Sequence, residues 1–321
     1  MLCSLEDGLL HQSFYLSDRL LKTGIFADGK EIMRTTLTVL VLLFLAPVVV
    51  KADVDVENDE ADSFTFSTYA RIRYNQYGGE MEVPNRSFVI ESAGFTADYT
   101  IDSSADGQLQ IETTPEEVYV KDCFLDWRPT EFLECRMGQF KKPFCLNSIL
   151  SRWDLMAIDH SVASDEVEDL LYAGRDIGSV FTVNTNRDWF PEIAFGVFNG
   201  SDSWKNQNNE IQYSARAVFE LPMNFVLGGD YTSLRLGEMD QGSITGYSVS
   251  RRLNAWSGDL QFEADLSTDL TLLTRCEMLQ GDNWKDADVI TEEDCPAFRA
   301  WWFTTAVTLR TAIPALESVT A

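Results

Sequence analysis

The feature of this chain that most constrains its fold is a period-two alternation of apolar and polar side chains, which recurs from residue 64 to residue 310. In one such run, Leu260, Phe262 and Ala264 alternate with Gln261 and Glu263. Because successive side chains of a β-strand point to opposite faces, each run predicts a strand with one apolar and one polar face. About thirteen runs are present, and many reach the roughly 9–11 residues that an oblique strand needs to cross a bilayer.

Two architectures can use such strands. A soluble β-sandwich turns the apolar faces inward against a second sheet, whereas a transmembrane β-barrel turns them outward to lipid and encloses a polar interior. Aromatic residues lie near the ends of several runs, as in the girdles of membrane barrels: Tyr69, Tyr74, Tyr99, Trp127, Phe140, Trp301 and Trp302. Together with the length of the runs, they favour an all-β, antiparallel transmembrane β-barrel, and the sandwich is the alternative.

An apolar run near the start of the chain predicts export. Leu37–Val50 is too short for a transmembrane helix, which needs about 20 residues, and Arg34 precedes it. Val50 and Ala52 place small residues at the two positions that a signal peptidase reads. This is the pattern of a signal peptide, with translation starting at Met33, and it predicts a bacterial outer-membrane location for a chain with barrel-like strands.

These features divide the chain into four segments. The prediction is an upstream extension over residues 1–32 that lies outside the translated protein, a signal peptide over 33–52, an acidic disordered segment over 53–62 and a β-barrel domain over 63–321. The acidic segment reads DVDVENDEAD, and dense carboxylates with little apolar content do not form a packed core.

The charge of the chain excludes one class of partner. There are 51 Asp and Glu residues against 25 Lys and Arg residues. The first 52 residues contain five of each sign, so the whole excess belongs to the later part. Nucleic acid is therefore not an expected partner, because a phosphate backbone needs a basic face.

The cysteines do not indicate a metal centre. Five follow the signal peptide, and none has a CxxC or Cys/His spacing. We therefore expect no metal and no cofactor, and interpret these residues as isolated thiols acting as small apolar side chains. A bridge between Cys276 and Cys295 across a hairpin is the alternative.

The segment Met137–Phe144 reads MGQFKKPF and closes one of the alternating runs. It lies between other segments whose order and spacing resemble the phosphate-selective porin (porin O/P) family of bacterial outer-membrane β-barrels. The resemblance covers Val118–Leu236 and depends on five pieces: Val120–Pro129, Gly138–Phe144, Arg175–Gly178, Gly196–Gly200 and Ala215–Arg216.

The resemblance implies a barrel of about sixteen strands that forms a homotrimer in outer-membrane lipid and passes small hydrophilic solutes or ions by diffusion. Some members of the family prefer phosphate or other anions, whereas the acidic composition here favours cations if the acidic side chains line the lumen. The last residues, Pro314–Ala321, lack the terminal aromatic of outer-membrane barrels. With only about thirteen runs present, we expect the C-terminal strands to be missing.

One stretch interrupts the alternation. From Ser151 to Leu171 the period of two is lost, and Trp153, Met156 and Val162 follow a rough helical spacing. A long insertion of this kind in a barrel is often functional. It either folds inward to narrow the channel or forms a cap or turn outside the barrel, and the sequence leaves both open.

The candidate pore-lining residues are charged side chains on the polar strand faces or beside the inserted stretch. They are Arg71, Arg73, Asp122, Asp126, Glu134, Arg136, Lys141, Lys142, Arg152, Arg175 and Arg216. Of these, Lys141, Lys142, Arg152 and Arg175 flank the insertion and would supply local positive potential.

A diffusion pore carries out no bond chemistry, so we expect no catalytic residue and no enzyme activity. An outer-membrane hydrolase would have to use His160, the one histidine after the signal peptide, which has Asp159 and Ser161 beside it. The GxSxG motif is absent. A secreted or surface β-sandwich binding protein is the stronger alternative to a porin.

Overall fold

The computed structural model describes residues 48–57, 63–76, 86–157, 159–185, 190–201, 206, 209–236, 252–285 and 296–309. For residues 48–57 only the backbone is described.

Thirteen strands make up most of the described chain. They are β1 (Val48–Glu57), β2 (Ser63–Gln76), β3 (Arg86–Asp102), β4 (Ala105–Thr113), β5 (Val118–Thr130), β6 (Leu133–Lys141), β7 (Arg175–Val183), β8 (Glu192–Phe198), β9 (Gln212–Leu221), β10 (Phe225–Leu234), β11 (Leu253–Ser267), β12 (Leu270–Asp282) and β13 (Ala297–Leu309). Two short helices, α1 (Leu146–Ile149) and α2 (Val162–Asp169), lie between β6 and β7. A 3-10 turn, Pro222–Asn224, joins β9 to β10.

The strands form one antiparallel sheet in which each strand pairs with its neighbours in sequence. This up-and-down order confirms the prediction of an all-β antiparallel fold of the outer-membrane barrel type. Within the described residues there is one sheet, so the second layer that a β-sandwich needs is not found there. The same residues contain no pairing between β1 and β13, so the sheet is not closed.

The two faces of the sheet differ as the alternation predicts. One face is apolar and exposed: Leu125 is 59% and Trp301 is 79% exposed. The other face carries buried carboxylates, such as those of Asp126 and Asp259. A sheet that is apolar outside and charged inside matches a wall between lipid and a polar interior, and we call the charged side the inner face.

The connections between strands differ at the two ends of the sheet. At one end they are shorter: residues 103–104, 131–132, 184–191, 222–224 and 268–269. At the other end they comprise residues 77–85, 114–117, 142–174, 199–211, 235–252 and 283–296. Outer-membrane barrels have short turns on the periplasmic side and longer loops on the extracellular side. The longest connection, residues 142–174, therefore starts from the long-loop end.

Neither α1 nor α2 is long and apolar enough to cross a membrane, and the described residues contain no other candidate helix for such a span.

The N-terminal predictions fall largely on residues that the structure does not describe. Residues 1–47 and 58–62 lie outside the described part, as do Cys295 and residues 310–321. The backbone of β1 includes the last residues of the predicted signal peptide and the first of the predicted acidic segment. Cys276 has a free thiol.

Candidate functional site

The connection between β6 and β7, residues 142–174, is the feature around which the polar groups of the inner face are arranged, and we call it the insert. β6 ends just before it, since Pro143 has no N–H to continue the ladder. Within the insert, the hydroxyl of Ser161 accepts a hydrogen bond of 3.1 Å from the Ser164 N–H and caps α2. The insert is longer than the aperiodic stretch from Ser151 to Leu171 that the sequence indicates.

Both ends of the insert are held together by Lys142. This residue is 1% exposed, and its ammonium donates hydrogen bonds to the Leu171 carbonyl at 2.7 Å and to Gln212 Oε1 at 3.1 Å. The Gln212 amide in turn donates to the Leu171 carbonyl at 3.0 Å. The ammonium of Lys142 is therefore bound by protein oxygens at the base of the insert.

An apolar cluster fixes the insert to the strands that follow it. Phe144 and Leu170 of the insert are fully buried against Leu234, Leu253 and Leu279. These three residues are on β10, β11 and β12, near the long-loop end of the sheet. Burying side chains of this kind is worth about 1.5–3 kcal/mol each, so this cluster holds the insert firmly against β10–β12.

Polar contacts extend the same attachment along the inner face. The carboxylate of Asp230 accepts the Cys145 N–H at 2.9 Å, and that of Glu277 accepts the Leu146 N–H at 2.7 Å. Burial raises the pKa of the Cys145 thiol, and the Glu277 carboxylate adds to the effect. The start of α1 therefore lies directly against β10 and β12.

The other side of the insert reaches the opposite part of the sheet. Trp153 packs edge-on against Tyr69 of β2, with ring centroids 5.4 Å apart, and Arg152 Nη1 lies 3.5 Å from Glu91 Oε1 of β3. The neighbouring Asp154 carbonyl accepts a hydrogen bond of 2.7 Å from Arg275 of β12. Since one segment contacts both β2–β3 and β10–β12, the sheet curls around it and the insert crosses the interior.

The insert divides the inner face into two parts. We call β2–β7 the first wall and β9–β13 the second wall. On the second wall, Asp230, Asp259 and Glu277 are 2–4% exposed. Arg216, a predicted pore-lining residue, lies among them, with Nη1 at 2.5 Å from Asp230 Oδ1 and 2.9 Å from Asp259 Oδ2. The insert covers this part of the wall.

Three predicted residues meet on the first wall. Arg71 and Arg73 of β2 and Arg152 of the insert all approach Glu91 Oε1, at 3.5, 3.9 and 3.5 Å. The side chains of Arg73 and Arg152 are each 39% exposed. Arg152 Nη2 also lies 3.8 Å from Asp159 Oδ1 of the insert, so three guanidinium groups face two carboxylates and leave an excess of one positive charge. We call Arg71, Arg73, Arg152 and Glu91 the arginine cluster.

A second group of charges lies at the root of the insert. Arg175 makes two hydrogen bonds to Asp122, at 2.9 and 3.0 Å. The ammonium of Lys141 donates to the carbonyls of Ser148 and Leu150, at 2.6 and 2.7 Å, and so satisfies the C-terminal end of α1. Lys141 has no carboxylate partner within 4 Å among the described residues.

A cavity of about 920 Å³ opens on the short-turn side of the insert. Five predicted residues line it, namely Glu134, Arg136, Lys141, Lys142 and Arg216. Arg136 forms a bidentate pair with Asp126, both distances being 2.7 Å, and its guanidinium lies 3.9 Å from the ring centre of Phe124. Arg128, which the sequence-based set lacks, also lines the cavity and contacts Asp106 and Glu134.

The residues considered for a hydrolase lie in the insert. His160 Nδ1 is 2.8 Å from the Asn147 carbonyl, to which it donates a hydrogen bond. Burial lowers the pKa of His160, and the positive charge of Lys141 acts in the same direction. Ser161 caps α2, and the side chain of Asp159 accepts the His160 backbone N–H at 3.0 Å.

Sequence reasoning missed Asp230, Asp259 and Glu277. Each occupies a polar position in an alternating run, but such positions are common along the chain. Only the strand register brings them together: Asp259 lies directly opposite Glu277 on one side and Gly228 on the other. The register also explains the glycine opposite Asp259: a Cβ at Gly228 would lie 2.0 Å from Asp259 Oδ2. This requirement for glycine becomes visible only once the strand pairing is known.

No protein-family model matches the chain, and no curated protein matches it. Among solved structures, the chain is similar to OmpT of Vibrio cholerae, an outer membrane protein folded in vitro, in its trimer form. The identity is 11%, the alignment covers 82% of this chain and 83% of that chain, and the TM-score is 0.33. The assignment to the outer-membrane barrel type therefore depends on the sheet of this structure and not on the comparison. The resemblance to porin O/P stays a prediction.

One expectation from the sequence has to be corrected, namely that the chain is not an enzyme. A barrel fold supports catalytic sites as well as pores. A polar interior alone therefore gives no ground for excluding catalysis, and we do not retain that exclusion.

Proposed function

We propose that this protein is an outer-membrane porin through which small hydrophilic solutes and ions diffuse passively, and that the insert narrows the passage. The observation that carries the proposal is the course of residues 142–174, which contact β2–β3 on one side and β10–β12 on the other. A segment held across the interior of a curled sheet limits the cross-section that solutes can use.

The charges beside the insert favour anions. In the arginine cluster, three guanidinium groups share the carboxylate of Glu91. The carboxylates of the second wall lie beneath the insert and are 2–4% exposed. With Asp159 beside Arg152, a solute passing the arginine cluster would meet three guanidinium groups and two carboxylates, a local excess of one positive charge, although the whole chain carries a formal charge of −26. The resemblance to porin O/P points to the same solute class, with phosphate as one member.

The apolar outer face would contact outer-membrane lipid, and by the same resemblance we propose a homotrimer. Export would use the signal peptide predicted over residues 33–52.

Single-channel recording in a planar lipid bilayer tests the proposal. The purified protein, refolded and separated from unfolded chain by its heat-modifiable mobility, should give a reproducible step in current. In a KCl gradient, the sign of the reversal potential should show that chloride crosses more readily than potassium. A folded protein that gives no current steps would overturn the porin proposal, and a reversal potential of the opposite sign would overturn the anion preference alone.

A further inference from the structure

The carboxylate of Glu277 is the main polar attachment of the insert to the second wall. It lies in the middle of β12 and is 3% exposed. It accepts the N–H groups of Leu146 and Asn147, at 2.7 and 3.3 Å. From the wall itself it accepts the Ser257 hydroxyl at 2.5 Å and the Trp302 indole N–H at 2.7 Å. Each carboxylate oxygen therefore has donors from both the wall and the insert.

The donors from the insert have no local alternative. The first N–H groups of any helix lack partners within the helix and need a cap. Cys145, which precedes α1, provides no capping hydrogen bond from its side chain, and its backbone has a φ of 67° and a ψ of 105°. Glu277, which is 131 residues from Leu146 in sequence, therefore takes the place of a capping residue.

Glu277 also lies where a carboxylate is costly for the sheet. Its direct partner on β11 is Asp259, and two like charges opposite each other destabilise a pair of strands. A buried carboxylate is tolerated only if hydrogen bonds replace its water. Within the described residues, the hydrogen bonds to Glu277 come partly from the insert, so the carboxylate depends on the insert for part of its solvation.

We propose that Glu277 is a positioning residue: it fixes the insert against the second wall and thereby sets the width of the passage and holds it at one conductance. This inference depends on the proposed porin function. Glu277 itself faces the wall and the insert, so it would act through the position of the insert and not by touching solutes.

Single-channel recording of Glu277→Ala tests this role, with Glu277→Gln as the conservative variant. In Glu277→Ala, we expect the fraction of time spent outside the main conductance level to rise roughly tenfold or more, because the helix start loses its charged acceptor. Glu277→Gln retains one carbonyl oxygen as an acceptor, so its effect should be intermediate.

Glu263→Gln is the matched control. Glu263 lies on β11, on the same inner face as Asp259, at an exposed position. The change removes one negative charge at a residue that has no hydrogen bond or ion pair to the insert within the described part of the chain. It should leave the time outside the main level unchanged. If Glu277→Ala and Glu263→Gln both behave as the unmodified protein does, or if they change it equally, the positioning role is wrong.

Protease accessibility of the insert separates this inference from the porin proposal. In refolded protein, cleavage within residues 142–174 should be faster for Glu277→Ala than for Glu263→Gln, whether or not the protein conducts. Absence of current steps from the unmodified protein would contradict the porin function only. Equal cleavage of the two folded variants would contradict the anchoring by Glu277. If Glu277→Ala does not refold, Glu277→Gln takes its place in the same comparison.

Discussion

The two walls of the inner face use similar residues under different conditions. On the first wall, Arg136 pairs with Asp126 while its side chain remains 35% exposed. On the second wall, Arg216 pairs with Asp230 and Asp259, and its side chain is 10% exposed while both partners are fully buried. The difference comes from the insert, which covers the second wall and leaves water on the first. The arginine of the pair is thus open to water in one place and enclosed in the other, while the carboxylates are buried in both.

The comparison shows why total charge is a poor guide to the interior of this protein. The net charge includes three carboxylates that lie beneath the insert, those of Asp230, Asp259 and Glu277. The first two are paired with Arg216, and Glu277 accepts hydrogen bonds from backbone N–H groups of the insert. Arg73, Arg152 and the neighbouring Asp159 are accessible, and together they leave a local excess of positive charge.

The largest effect should come from removing the buried cation of the second wall. Arg216→Met leaves two buried carboxylates without their partner, and we expect it to lower the free energy of unfolding by on the order of 3–5 kcal/mol. Urea titration in detergent, followed by the heat-modifiable mobility, measures this quantity.

The matched change on the first wall is Arg136→Met. Asp126 is 2% exposed, but water reaches the Arg136 side chain and Arg128 Nη2 remains 3.9 Å from Asp126 Oδ2, so we expect a smaller loss, on the order of 1–3 kcal/mol. Equal losses in the two variants would mean that the insert does not shield the second wall.

The next effect concerns two glycines, one associated with each wall. Gly138 of β6 has a φ of 136°, and a Cβ there would lie 2.1 Å from the Cys123 carbonyl oxygen. Gly138→Ala should therefore destabilise the protein by about 2–3 kcal/mol. Gly229 of β10 has nothing within 4 Å of such a Cβ, so Gly229→Ala should change the stability by less than about 0.5 kcal/mol. The same urea titration compares them, and a stable Gly138→Ala variant would contradict the close strand packing.

A smaller effect is expected on ion selectivity. The double change Arg73→Gln and Arg152→Gln removes both exposed charges of the arginine cluster and should shift the reversal potential toward that of a cation-preferring channel. Arg216→Lys keeps the charge on the covered second wall and serves as the control, for which we expect no shift. If the double variant keeps the reversal potential of the unmodified protein, the passage does not run beside the arginine cluster.

The smallest effect should be the response of the insert to pH. The pKa of His160 is lowered by burial, so the folded protein favours the neutral ring. The neighbouring charges are Lys141, Glu168 and Arg152. The contribution of the neutral ring to stability is present above its unfolded pKa of about 6.5 and is lost as the pH falls through the lower pKa of the folded state.

Cleavage of the insert by a protease that is active over this pH range should therefore become faster below about pH 6. His160→Asn keeps a side-chain N–H for the Asn147 carbonyl but does not titrate, and it should remove most of this dependence. An unchanged pH profile in His160→Asn would assign the response to other groups.

Much of the fold could be predicted from the sequence. Alternation placed Arg71 and Arg73 on a polar face and Leu125 and Trp127 on an apolar one, because strand geometry alone decides which neighbours share a face. The loss of alternation after Ser151 likewise indicated an insertion. These are local properties, and each can be read within a window of about ten residues.

The candidate site was predicted only in part. The arginine cluster includes three residues that the sequence suggested, but the second wall contains acidic residues that it did not. Lys142 borders the cavity, but its ammonium is bound by oxygens at the base of the insert, which the sequence did not indicate. Whether a charged residue on an inner face meets water or protein depends on what packs over it, and residues distant in sequence determine that.

The sequence by itself determined the strands, their two faces and the place of the insertion, because these follow from the order of apolar and polar residues along the chain. Only the tertiary structure decided that the insert lies inside, and which carboxylates it covers. Register across β9–β12 brings Asp230, Asp259 and Glu277 to one spot. The hydrogen bonds that hold α1 there join residues more than a hundred positions apart, a distance over which no local pattern carries information.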